Sequence, residues 1–264
     1  LPHLLDRNME TISGMYMGID PTAGRLPYTW AILDDRGHLV YLEESDREEV
    51  LGVIEKQKPT YVAVNAPSGL NKGLVRLRYA QENQTRNLRG VDLRLCEYEL
   101  RIRGIQVPPT PSRYEVCPTW IQMGMDLTRQ LEEQGYKNFD KKGTDRQLLE
   151  VNTHAIFCTL LKQVPLPKPS LEGRIQRQLV LHENGEDIID PMDFFEEITR
   201  HRILRGSLPM DYVYASHELD ALAAAFLAWY VKLKPDEITC VGDAEEGEII
   251  LPVKTLEQNY SLTV

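Results

Sequence analysis

Met15-Tyr16-Met17-Gly18-Ile19 is a short apolar run that ends on Asp20, and Pro21-Thr22-Ala23-Gly24 follows as a small-residue turn. It reads as a buried strand that places one carboxylate at the edge of a sheet. Tyr28 to Leu33 (Y-T-W-A-I-L) is rich in aromatic and branched residues and reads as a second strand. Asp34-Asp35-Arg36-Gly37 is a turn signal, and His38 to Leu42 reads as a third strand, which gives an antiparallel hairpin. Between Arg47 and Lys56, the residues Val50, Leu51, Val53 and Ile54 make one helical face, and Pro59 stops that helix. Tyr61-Val62-Ala63-Val64 is apolar throughout and reads as a buried parallel strand.

Past the loop from Asn65 to Leu70 the pattern is more charged. Residues 72–103 carry a helix near Leu93 to Ile102, and Pro108, Pro109 and Pro111 break the chain. Arg113 to Cys117 reads as a short strand and Thr119 to Glu133 as a helix. Lys137 to Gly143 is a basic loop, and Gln147 to Leu161 reads as one apolar-rich helix. Pro165, Pro167 and Pro169 mark a linker. Ile175 to Leu181 is β-like, and Asp190-Pro191 opens a helix through about Leu204. Leu219 to Leu233 is the strongest helix, and Ile238 to Val241 and Glu248 to Leu251 read as late strands around an acidic turn. The order is that of the ribonuclease H-like α/β architecture, a mixed sheet that begins with three antiparallel strands, continues with parallel ones, and has helices on both faces. Residues 1–14 read as an N-terminal extension and 15–264 as a single domain.

Composition narrows the function classes. A hydrophobic content of 42% supports a sizeable core, and the net charge of -10 argues against a general coat for polyanions. No run of about 18 apolar residues is present, which predicts no membrane span. The N-terminus has no basic region leading into an apolar core, so no signal peptide is expected. The cysteines, Cys96, Cys117, Cys158 and Cys240, include no C-x-x-C pair and no histidine at zinc-finger spacing. They read as reduced thiols of a cytoplasmic protein.

The chemistry-bearing candidates are carboxylates. Asp220 lies within the apolar stretch from Leu219 to Trp229, where a carboxylate is costly to desolvate unless a positive charge compensates it. In the expected architecture, Asp20 at the end of strand one, Asn65 at the end of strand four and Asp220 on the late helix converge. Glu115 is a further candidate carboxylate. Such a set of oxygen ligands suits Mg²⁺ or Mn²⁺. The competing readings are a turn cap for Asp20, a helix-start charge for Asp220 and for Glu115, and N-terminal helix charge for Glu218. His217, nearly on the face of Asp220, would contact phosphate or orient a carboxylate. Residues 72–103 carry eight basic residues against four acidic ones, and arginine dominates. That suits forked contact with phosphate, with Arg94 and Arg101 as candidates and Lys137 and Arg146 in a second basic group. A solvated helical face is the alternative.

The motifs G-I-D at 18–20, V-N-A-P-S-G-L at 64–70, R-L-C-E-Y-E-L-R at 94–101, Y-E-V-C-P at 114–118, E-L-D-A-L-A-A-A at 218–225 and V-G-D-A-E-E-G-E-I-I-L-P at 241–252 run in order along the chain, with Y-K at 136–137, Gly143 and Arg146 between the fourth and fifth. By these the chain resembles the domain-of-unknown-function family 429, a group of predicted ribonuclease H-like nucleases. The resemblance implies that fold, a divalent-metal site, and acidic positions matching Asp20, Glu115 and Asp220. Asn65 stands where the family pattern has Asp; an amide oxygen can ligate a metal but brings no charge. The segment from about 170 to 212 is longer than the core pattern needs and reads as an insertion or lid. The expected function is a metal-dependent phosphodiesterase acting on nucleic acid. The alternatives are a catalytically attenuated binding module of the same fold, favoured by Asn65, and an actin-like phosphotransferase, for which no second Asp-x-Gly phosphate loop is found.

Overall fold

The computed structural model describes residues 14–22, 27–79, 90–143 and 146–261. Strands β1 (Met15–Pro21), β2 (Tyr28–Asp34) and β3 (Leu39–Ser45) form an antiparallel meander. On the other side of β1 lies β4 (Tyr61–Val64), in parallel, and then β6 (Gln147–Glu150), which also pairs with the two-residue β5 (Lys137–Asn138). β8 (Gly247–Leu251) meets β6 through Ile249 and Glu150, and β7 (Thr239–Asp243) closes that edge antiparallel to β8. The sheet order is β3-β2-β1-β4-β6-β8-β7. With helices on both faces, this is the mixed α/β architecture of the ribonuclease H-like kind that the element order predicts.

Alternation along β1 sorts its side chains between the two faces. Met17 and Ile19 pack with Val50 and Ile54 of α1 (Arg47–Gln57), and a later helix adds Leu127 and Leu131 to the same cluster. Tyr16 belongs to the opposite cluster, and the period of two puts Gly18 and Asp20 on that same face. Asp46 and Glu49 form the capping box that starts α1, and Lys58, in the left-handed conformation before Pro59, ends it. α2 (Leu74–Tyr79) and α3 (Leu95–Arg101) follow β4, and α4 (Thr119–Glu133) is the helix that carries Leu127 and Leu131. The last helix, α9 (Ser216–Leu233), is buried at every position from Leu219 to Val231. Such a helix belongs inside a fold. It lies against β1, β2 and β4, with α5 (Thr153–Leu161) and α6 (Leu171–Glu183) packed beside it.

Several local expectations are corrected. Gln147 to Leu161 is not one helix: 147–150 is the parallel strand β6, and α5 starts after Asn152, whose side chain caps Ala155 N–H at 2.9 Å. A short apolar run carries no period that separates a buried strand from a buried helix, and the sheet partners decide. The β-like stretch 175–181 is inside α6, which Ser170 caps. Arg113 to Cys117 is not a strand but a single 3-10 turn at Tyr114–Val116. The helix expected from 190 to 204 is two short ones, α7 (Asp193–Glu196) and α8 (Arg200–Leu204).

Glu186, just past α6, is fully buried, and neither carboxylate oxygen has a hydrogen-bond partner. Burial pushes its carboxyl well above the usual range. The folded state therefore holds a proton that the unfolded chain releases, and this group's contribution to stability falls as pH rises through that window. Glu186→Gln removes the ionisation. It is expected to raise stability at pH 8 by on the order of 2 kcal/mol, with the difference shrinking towards pH 4, read by urea unfolding at both pH values.

Candidate functional site

A Cβ added at Gly18 would lie 2.1 Å from the backbone N of Ala225 and 2.2 Å from the carbonyl O of Ala221. Only glycine lets α9 sit so close on β1. This contact sets the site, because Asp20 is two residues along β1 and Asp220 precedes Ala221. Both carboxylates are buried, Asp20 at 7% and Asp220 at 3% exposure. Asn65 continues the β4 ladder, with its N–H donating to Ile19 O at 2.9 Å. Its side-chain Nδ2 donates to Asp20 Oδ1 at 2.7 Å, and its Oδ1 accepts Thr153 N–H at 3.0 Å. Thr153 Oγ1 then donates to Asp220 Oδ1 at 3.0 Å. Asp20, Asn65, Thr153 and Asp220 thus form one hydrogen-bonded chain across β1, β4, α5 and α9. Lys168 Nζ donates to Asp220 Oδ2.

Asp20 is pushed up to about 7, first by burial and then by the Asp220 charge; the Asn65 hydrogen bond and the Lys168 ammonium oppose the rise. The pair opens onto a cavity of about 450 Å³ that Thr22, Trp120, Pro108 and Val151 also line. The N-terminal ends of α5 and α9 border it through Asn152, Thr153, His154, Ser216 and His217. Burial and the nearby Arg177 hold His154 below the usual imidazole range. His217 reaches the cavity and pairs with Glu44 Oε1 at 2.5 Å. Glu218 points elsewhere: its Oε2 accepts Ala215 N–H at 2.5 Å as the α9 cap.

Other expected site residues are not brought here. Glu115 is exposed on its 3-10 turn and does not line the cavity. Arg101 donates from Nε to Val107 O at 2.9 Å, Arg103 to Glu99 O at 2.6 Å, and Arg78 pairs with Asp243. Lys137 and Arg146 are exposed away from the cavity, and Arg146 donates to Gln134 O at 3.3 Å. Arg86 and Arg89 lie outside the described residues. Apart from Arg94, the basic residues of 72–103 therefore do not line the cavity among the described residues. Lys168 and Thr153 were not legible, because a proline-rich linker and a helix start carry no signal of a distant carboxylate.

The donor set can be tested against a divalent ion. Asp20 and Asp220 supply carboxylate oxygen, suited to Mg²⁺ or Mn²⁺, whereas Asn65 turns its amide nitrogen to Asp20 and its oxygen to the Thr153 N–H. A buried carboxylate whose ionisation a neighbouring one opposes, as Asp220 opposes that of Asp20, is what a bound cation relieves. Among the described residues no third His, Cys, Asp or Glu joins them in a metal-sized group. Two carboxylates, one of them already meeting Lys168, offer donors for one divalent ion at most and too little negative charge for two.

A family profile described as a protein of unknown function (DUF429) matches residues 18–246. The chain belongs to the DUF429 family. No curated protein and no solved structure matches it. The DUF429 match begins at Gly18, the seat of α9, and ends at Glu246. Glu246 belongs to a buried charge network that joins the segments 64–70, 94–101 and 241–252. Arg94, 1% exposed, donates from Nε to Glu97 Oε1 at 2.9 Å and from its terminal nitrogens to Glu150 Oε1 at 2.6 Å and Oε2 at 3.2 Å. It also donates to the Glu246 carbonyl at 2.8 Å. The Glu246 carboxylate accepts the backbone N–H of Lys72 at 2.7 Å, Leu74 at 3.0 Å and Leu95 at 2.8 Å. Ser68 donates to Glu150 Oε2 from both N–H, at 2.9 Å, and Oγ, at 2.5 Å. Gly247 has φ +101°, and a Cβ there would meet Glu150 Oε2 at 2.3 Å. Arg94 was expected to bind phosphate; its guanidinium is instead engaged by this network, whose Arg94, Glu97 and Glu150 form part of the cavity wall.

Proposed function

We propose that the cavity hydrolyses phosphodiester bonds of nucleic acid with one divalent metal ion. The observation that carries this reading is the buried Asp20–Asp220 pair on the cavity wall, oriented through Asn65 and Thr153. A bound Mg²⁺ or Mn²⁺ would supply Lewis-acid polarisation of a phosphoryl oxygen and acidify a bound water. Asp20 and Asp220 would hold it. Lys168 and the N-terminal ends of α5 and α9 place positive potential where a phosphate would enter. Trp120 offers an aromatic wall for a base. The test is incubation of labelled single- and double-stranded DNA and RNA with the purified protein and Mn²⁺, with Asp20→Asn as the control. Cleavage by the wild type alone supports the reading.

A second reading is a binding module of the same fold without turnover. The Lys168 contact favours it, since Asp220 already has a cation. It predicts salt-sensitive nucleic-acid binding with no cleavage at any Mn²⁺ concentration.

Asn65 separates the two readings further. Asn65→Asp replaces the donor to Asp20 Oδ1 with a third carboxylate. Without metal the variant is expected to lose about 1–3 kcal/mol at pH 8. Millimolar Mn²⁺ should restore much of it, read as a metal-dependent rise in melting temperature larger than that of the wild type. An Asn65→Asp protein as stable as the wild type in chelator would mean that the Asn65–Asp20 bond is not made.

A further inference from the structure

Lys168 sits in the proline-rich segment 165–169, between α5 and α6, and that segment is held from both sides. Leu166 N–H donates to Gln176 Oε1 at 2.7 Å, and Arg177 donates to Leu166 O at 2.9 Å. Pro167 O accepts from Ser170 Oγ at 2.9 Å. Ser216 Oγ, at the start of α9, donates to the Lys168 carbonyl at 3.1 Å. Pro165, Pro167 and Pro169 each restrict φ around it. The backbone of Lys168 is therefore fixed over the N-terminal end of α9, and its ammonium reaches an Asp220 carboxylate that is only 4% exposed. Of the other basic groups near the pair, Arg177 donates to Leu166 O and Gly173 O and stacks over Phe157 while its charge also acts on Asp220, His217 pairs with Glu44, and His154 is held below the usual imidazole range.

We propose that Lys168 is an internal counter-cation of the Asp20–Asp220 pair, which a divalent ion must displace from Asp220 Oδ2, so that this lysine sets the metal affinity of the cavity. The proposal rests on the reading of the pair as a metal site. It follows from the charge balance: the ammonium on Asp220 Oδ2 offsets negative charge of the pair, and removing it leaves that charge for an incoming ion. The displaced ammonium stays tethered at the mouth of the cavity by its fixed backbone, where a substrate phosphate would meet it. The Lys168 side chain is half exposed, at 46%, so the effect is smaller than a dry pair would give.

The test is calorimetric titration of the full chain with Mn²⁺, comparing wild type, Lys168→Met, Lys168→Gln and Lys168→Arg. Both neutral variants are expected to bind Mn²⁺ about tenfold more tightly than the wild type, and Lys168→Arg to stay within about threefold of it. Binding seen only in the neutral variants supports the proposal in its strongest form. Unchanged or weaker binding in both overturns the lysine's role and leaves the metal site standing. No Mn²⁺ binding by any of the four proteins overturns the metal site and this proposal together.

Discussion

Arg94→Ala is expected to destabilise the protein by about 3–5 kcal/mol, the largest loss for any single substitution at the site or its supports. The guanidinium is buried, and it answers two carboxylates, Glu97 and Glu150, that are themselves buried. Removing it strands both charges in a region of low dielectric, where an unpaired ion costs far more than the pair contributes. Lysine is not expected to rescue it. A single ammonium cannot reproduce the fork that reaches Glu97, both oxygens of Glu150 and the Glu246 carbonyl. Because the network ties the loop at Ser68, the start of α3, β6 and the β7–β8 turn together, its loss should be cooperative. Urea unfolding of wild type, Arg94→Ala and Arg94→Lys checks this, and a loss below about 1 kcal/mol in both variants would show that these charges are solvated.

Asp20→Asn is expected to abolish divalent-metal binding and cleavage while making the protein more stable at pH 8. Metal affinity is lost because the substitution removes one of two carboxylates and keeps only a neutral oxygen. The stability gain follows from the sign of the Asp20 shift. Its carboxyl lies near 7 in the fold against an ordinary 3.8, raised by burial and by Asp220. Between those pH values the folded protein holds a proton that the unfolded chain has released, so stability falls as pH rises through that window and stays low above it. Asparagine keeps the acceptor for Asn65 Nδ2 and carries no charge, which removes the penalty. The gain should be on the order of 2 kcal/mol at pH 8 and near zero at pH 4. Thermal unfolding at the two pH values in chelator, with Mn²⁺ titration of the same samples, reads both effects. A variant less stable than the wild type at pH 8 would mean that Lys168 compensates both carboxylates fully.

The split between what the chain shows and what it hides is seen residue by residue. β1 was legible because Met15 to Ile19 is a short apolar run that ends before a turn, and in the fold the period of two carries Asp20 to the α9 face. Asp20, Asn65 and Asp220 could be brought together on topology alone, since a mixed sheet of this order places β1 beside β4 under the last helix. Glu115 and the arginines could not be judged this way. A carboxylate before a helix start reads alike whether it faces a cavity or solvent, and the arginine count says nothing of where each guanidinium ends. Asn65 shows the same limit from the other side. As a letter it is a missing charge, whereas in the fold it is the hydrogen-bonded link between Asp20 and Thr153.

By itself the sequence determined the opening meander, the parallel strand after it, the long buried last helix and the two buried carboxylates, because side-chain periodicity and the cost of desolvating an ion are local properties readable in a short window. The tertiary structure alone decided which charge answers which. Arg94 meets Glu150 across 56 residues of chain and the Glu246 carbonyl across 152, and Lys168 meets Asp220 across 52. The energy of a buried ion depends on the groups folding brings within a few ångströms of it, and nothing along the chain records those distances.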